Sequence, residues 1–133
     1  MGSFSNYLEN KVLDHVTGKT AYGKPTAYVA LFTACADGEA GTVTEHTIGQ
    51  DGYARVATAG ADWNAAANGA VSNANAITFP QASGSWGTAA YFGLYDAASG
   101  GNLLAYGTLT TPKAIGAGDT ASFAAGQLSI TLD

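Results

Sequence analysis

The chain has 133 residues, of which 15 are charged, and its net charge is −5; an ordinary soluble domain carries about 25 % charged residues. Its fixed cations, Lys11, Lys19, Lys24, Arg55 and Lys113, are too few and too scattered for the basic stripe that phosphate-driven nucleic-acid binding requires. No apolar run approaches the ~20 residues that span a bilayer, so neither nucleic acid nor membrane is an expected partner.

Apolar residues make up 47 % of the chain, yet 27 of them are Ala, while Leu, Ile, Val and Phe together number only 24. The 14 aromatic residues must therefore supply much of the core, since each can bury about 150–250 Å². Length favours one domain. A single cysteine, Cys35, excludes an internal disulfide. No charged stretch followed by an apolar one opens the chain, so no cleaved secretory signal is expected.

The first predicted element is a helix over residues 6–17. Ser5 is a suitable N-cap, Leu8, Val12 and Val16 recur at four-residue spacing with Leu13 widening the stripe, and Gly18 stands where a left-handed terminator belongs. A helix of twelve residues is marginal alone, so its apolar face must dock on the chain's own sheet or on a partner. After Gly18 the period becomes two. Residues 27–34 alternate with apolar side chains on both faces, which predicts a strand covered on two sides. A short strand over 42–47 follows within a polar loop, then strands over 53–59 and 76–79, the latter stopped by Pro80. A loop over 60–69 holds Trp63. Strands over 86–96 and 103–110 flank a hairpin whose Gly100 and Gly101 supply positive φ. A break is expected at Thr111–Lys113, because Pro112 cannot donate to a ladder. Residues 120–125 and 127–132 complete the pattern. Short strands at this spacing predict a single antiparallel β-sandwich or jelly roll with one N-terminal helix, divided into a helical docking element (1–18) and a β domain (19–133).

Chemistry-bearing constellations are sparse. His15 and His46 lie far apart, with no H-x-x-x-H or C-x-x-C spacing for zinc. Cys35 ends an apolar strand and is expected as a small buried thiol rather than a nucleophile. No G-x-S-x-G elbow occurs. Asp37, Glu39, Glu45 and Asp51 form an acidic loop without the calcium-loop spacing. The glycines at 100 and 101 are turn chemistry, as no helix follows a strand there. Trp63, Trp86, Tyr91, Phe92 and Tyr95 are expected to be core, with Tyr91 and Tyr95 on one face of their strand and Phe92 and Leu94 on the other; exposed Trp63 or Trp86 would instead suit a glycan platform. The expectation is therefore no catalytic residue, no cofactor and no metal.

Several segments together carry a resemblance: Ser5 to Lys11 with Leu13 to Val16, Tyr28 to Thr33, Gly52 to Val56, Ile77 to Pro80, Trp86 to Thr88, Phe92 to Asp96, Leu103 to Gly107, Thr111 to Lys113, Gly118 to Thr120 and Leu128 to Leu132. This set resembles small structural proteins of tailed bacteriophages and prophages, tail-fibre-like in their usual description. The stretch from Asp37 to Gln50 is longer and more polar than in those proteins. The resemblance implies a non-enzymatic virion component, assembled in the host cytoplasm, with other virion proteins (major capsid or tail proteins) as partners. A compact domain without a shaft or repeat favours a capsid-decorating protein working as a homo-oligomer, most simply a trimer. A tail-associated subunit of the fibre, tip or collar, or a glycan-binding module, are the alternatives. Phe4, Tyr7, Leu8, Val12 and Val16 are the expected partner-contact residues.

Overall fold

The computed structural model describes residues 2–132. It is mainly β with one helix, as the periodicity predicts. In chain order the elements are β1 (Gly2–Phe4), α1 (Asn6–Val16), β2 (Tyr28–Asp37), β3 (Thr42–Glu45), β4 (Val56–Ala57), a short 3-10 turn (Gly60–Asp62), β5 (Ala70–Ser72), β6 (Ile77–Thr78), β7 (Gly87–Tyr95), β8 (Leu103–Ile115), β9 (Ser122–Phe123) and β10 (Ser129–Thr131). One eight-stranded sheet runs β3-β2-β7-β8-β1-β10-β5, with β4 alongside the start of β2, and β6 and β9 form a separate two-stranded sheet. All pairs are antiparallel except β1 with β10, which is parallel.

The helix begins as its sequence dictates. The Ser5 hydroxyl accepts from the Leu8 amide at 3.4 Å, and Gly18 takes φ 80° just past the C-cap Thr17. Residues 2–4, which fall within the helical docking element expected over 1–18, instead form β1 between β8 and β10. This strand has no alternating signature because it needs none. A Cβ on Gly2 would lie 2.6 Å from the Tyr106 carbonyl oxygen and 2.7 Å from Phe92 Cζ, so the strand slots in by virtue of a missing side chain.

β8 runs through the break expected at Thr111–Lys113. The register explains why: Ala89 faces Lys113 whereas Tyr91 faces Thr108, so residues 109–112 form a bulge off the β7 ladder. Pro112 sits inside that bulge, where its missing N–H costs no ladder hydrogen bond. The predicted strand over 53–59 shrinks to Val56–Ala57, because the backbone around Tyr53 turns: Tyr53 N donates to Gln50 O at 2.9 Å and Gly49 N donates to Tyr53 O at 2.9 Å.

Two apolar clusters flank the sheet. On one face Val29, Leu31, Phe92 and Leu94 meet Tyr53, Ile77, Phe79, Trp86 and Leu128, so the second layer of the sandwich is β6, β9 and the segments around them. Aromatic rings dominate here. Tyr53 and Trp86 are edge-to-face at 5.1 Å, Phe79 and Trp86 at 6.4 Å, and Phe92 and Phe123 at 6.2 Å. On the other face Ala30, Phe32, Tyr95 and Leu103 form a smaller cluster with Tyr28, Val43, Tyr91 and Tyr106. The predicted split of Tyr91 and Tyr95 from Phe92 and Leu94 is thus observed.

Candidate functional site

The polar chemistry of the chain converges on Arg55. Its side chain is only 4 % exposed, and it grips Glu45 in bidentate fashion, Nη2 to Oε1 at 2.9 Å and Nε to Oε2 at 3.0 Å. Nη1 donates to the carbonyls of Ala97 at 2.8 Å and Gly100 at 2.9 Å, and the guanidinium lies 3.5 Å from the Tyr95 ring centroid. Tyr53 completes the network by donating to Glu45 Oε2 at 2.6 Å while its oxygen accepts from Leu31 N at 3.1 Å. Burial, then the hydrogen bond and charge of Glu45, push the Tyr53 hydroxyl far above its ordinary value. Burial alone would lower Arg55, but the hydrogen bond and charge of Glu45 outweigh it and raise the guanidinium further. Every strong donor and acceptor in this cluster is matched within the chain, so it clamps β3 to the β7–β8 hairpin rather than presenting a reactive group.

Two concavities flank these elements. A polar cleft of about 480 Å³ lies where the start of α1, the β2–β3 hairpin and the β7–β8 hairpin meet, lined among others by Asn6, Tyr7, Glu39, Arg55, Tyr95 and Asn102. An open groove of about 460 Å³ runs between the β8 bulge and β9, with Phe92, Ile115 and Phe123 in its floor and Thr108 and Lys113 on its rim.

The residues expected to contact a partner separate along the helix. Phe4, Tyr7 and Leu8 are half-buried against the chain's own core, and Val12 is half-buried. Val16 is 75 % exposed and its neighbour Leu13 is 61 % exposed, so the C-terminal half of α1 presents apolar side chains to solvent.

Residues 3–131 match a family model described as Podophage GP4 fiber I protein gp80. The chain belongs to that family. No curated protein matches it. Membership of the gp80 family places the chain among small structural proteins of tailed phages, as the resemblance of its segments implies.

The structure also places the other residues singled out in the sequence of this gp80-family chain. Trp86 is 5 % exposed and its indole N–H donates to Asp51 O at 2.8 Å, while Trp63 is half-buried with its N–H on the Thr58 hydroxyl at 3.0 Å. The Trp86 ring is thus enclosed and no platform, which corrects the glycan reading at that position. Cys35 is half-exposed rather than fully buried. Its thiol is nonetheless held above its usual range by desolvation and by the Asp37 charge, with the Gly38 N–H opposing them, which disfavours the thiolate. The acidic loop disperses: Asp37 caps Ala40 N at 3.3 Å, Glu39 accepts from Tyr106, Glu45 pairs with Arg55, and Asp51 Oδ2 sits 2.9 Å from His46 Nε2. Among the described residues no group of three or more metal-ligating side chains assembles, and no helix is long and apolar enough to cross a membrane.

Two structural features carry little signal in the sequence. One is the Arg55–Glu45 pair, whose signal was a lone cation inside an otherwise apolar strand-like run. The other is Asn73, fully buried, whose amide donates to Asn75 O at 2.9 Å and Ala124 O at 3.0 Å and accepts from Leu128 N at 2.9 Å. Nothing in its local sequence marks it.

Proposed function

We propose that this chain is a fibre-associated structural subunit of the virion, non-catalytic, anchored to a neighbouring virion protein through the exposed half of α1. The family match over residues 3–131 carries this reading. Its anchoring part is supported by Leu13 and Val16, which are 61 % and 75 % exposed on a helix whose first turns already rest on the chain's own core. Large apolar side chains concentrated at one end of a helix suit insertion into a groove on a partner. In this reading Val12 and Val16 meet the partner, and Phe4, Tyr7 and Leu8 hold the helix in position. Residues 1–18 act as the docking element and 19–133 as the body.

Capsid decoration is the second reading, favoured by the compact, shaft-free domain. Symmetric association, most simply as a trimer, belongs to both. Copy number in purified virions, measured by quantitative mass spectrometry, separates them. Copies numbering in the tens or fewer support the fibre-associated role, whereas hundreds assign the chain to the shell.

A further inference from the structure

The polar cleft at the end of the sheet carries an inference independent of where in the virion the chain resides. Its volume of about 480 Å³ falls within the ~300–1,000 Å³ typical of small-ligand sites. Three walls form it, and each is tied to another by the backbone. Asn6 N donates to Glu39 O at 3.0 Å and Ser5 N to Leu104 O at 2.8 Å. Arg55 holds the Ala97 and Gly100 carbonyls, and Asp96 Oδ1 holds Asn102 N at 2.7 Å. A cleft braced in this way binds without first having to order its loops.

The chemistry of the lining defines the ligand. The side-chain carboxamide of Asn6 and the phenol oxygens of Tyr7 and Tyr95 make no hydrogen bond to any described protein group, and the Asn102 carboxamide uses only its nitrogen, on Asp96 Oδ2 at 3.0 Å. These are neutral groups that both donate and accept. Arg55, the cation of the lining, is already neutralised by Glu45 at 2.9 Å, and the Lys11 ammonium sits over the Tyr7 ring at 5.5 Å from its centroid, outside the lining itself. Glu39 accepts from the Tyr106 hydroxyl at 2.8 Å through Oε1, and its Oε2 is a buried acceptor without a donor. Unpaired neutral donors and acceptors together with phenol groups match a ligand made of hydroxyl groups. We propose that this cleft binds a neutral saccharide.

The test uses the purified full chain and three uncharged trisaccharides: maltotriose, tri-N-acetylchitotriose and xylotriose. At least one should shift the backbone amide resonances of Asn6, Tyr7 and residues 100–102 with millimolar affinity. Asn102→Ala and Tyr7→Phe should each weaken that binding about tenfold, the effect of one lost hydrogen bond, with the unliganded spectra confirming the fold. Trp63→Phe should leave it unchanged. The proposal is overturned if no trisaccharide perturbs these amides, if the shifts map to the groove beside β9, or if both variants bind as the parent does. Trilysine shifting the same amides where sugars do not would also overturn it, making the cleft a cation site through Glu39. None of these outcomes depends on virion incorporation, so they stand apart from the fibre reading.

Discussion

Replacing Arg55 by Met isolates the charge at the centre of its hydrogen-bond network. Met keeps an unbranched apolar stem of similar reach, so packing on Tyr95 is largely retained while four hydrogen bonds, to Glu45 twice and to Ala97 and Gly100, are lost. Glu45, whose side chain is 13 % exposed, is then left with the Tyr53 hydroxyl as its donor. Removing one partner of a buried ion pair costs about 3–5 kcal/mol because the other charge stays uncompensated. Glu45 keeps one donor and some solvent, and the exposed Gly100 carbonyl can turn to water, which places the loss near 3 kcal/mol, at the low end. For a domain of this size that lowers Tm by about 12 °C. Urea titration and calorimetry read it directly. Arg55→Met with Glu45→Gln should recover more than half of the loss, since Gln still accepts from Tyr53 without burying a charge, giving a coupling energy of about 2 kcal/mol. A Tm decrease below about 3 °C, or strict additivity of the two substitutions, would refute the claim that the pair is a buried clamp.

Four further outcomes follow from other parts of the molecule. Asn73→Ala strands Leu128 N and the carbonyls of Asn75 and Ala124, and urea melts should register a loss of about 2–4 kcal/mol; a change under 1 kcal/mol would mean that water replaces the amide freely. Because burial, then Glu45, raises the Tyr53 hydroxyl above its ordinary 10.0 and burial likewise raises Tyr95, the folded state retains protons that the unfolded chain releases. Stability should therefore be intact below about pH 10 and fall as pH rises beyond it, by up to about 1.4 kcal/mol per pH unit per tyrosine; alkaline urea melts should show a shallower slope in Tyr53→Phe, and equal slopes would contradict the linkage. A Cβ on Gly93 would sit 2.5 Å from Phe32 Cζ and 2.9 Å from Leu103 Cδ1, so thermal melts of Gly93→Ala should show a destabilisation of about 1–3 kcal/mol from overpacking. Leu13→Lys with Val16→Lys, both exposed, should leave stability within about 0.5 kcal/mol yet reduce the copies per virion; undiminished incorporation rules out the helix as the anchor.

The parts of this fold that were legible in sequence are those specified locally. The Ser5 cap, the Gly18 terminator, the two-sided alternation of β2 and β7 and the Gly100–Gly101 hairpin each depend on residues within a few positions of one another. What escaped depends on distant partners. β1 is a strand because β8 and β10 leave a slot for it, and β8 outlasts Pro112 because the ladder loosens at that point. The pairing of Arg55 with Glu45 spans ten positions, and Asn73 meets Ala124 fifty-one positions away; spacing at that range carries no periodic signal. The same limit applies to the polar cleft, whose walls come from residues near 6, 39 and 101.

The register also constrains how partners attach. Ser3 pairs with Thr131 and Gly2 with Ile130 in the parallel β1–β10 ladder, so the first and last strands of the family-matched span lie side by side within the main sheet. β1 is simultaneously bonded to β8 through Gly2, Ser3 and Phe4. Exchanging a terminal strand with a neighbour would therefore break two ladders at once and expose the Phe92 cluster beneath Gly2. Partners that add to the sheet meet instead its short edges, β3 and β5, of four and three residues, which offer few backbone hydrogen bonds. The sheet is thus poorly suited to assembly by strand addition. That leaves recognition to side chains standing off the sheet, which is where the proposed contacts lie: the apolar end of α1 for a protein neighbour and the braced polar cleft for a small ligand.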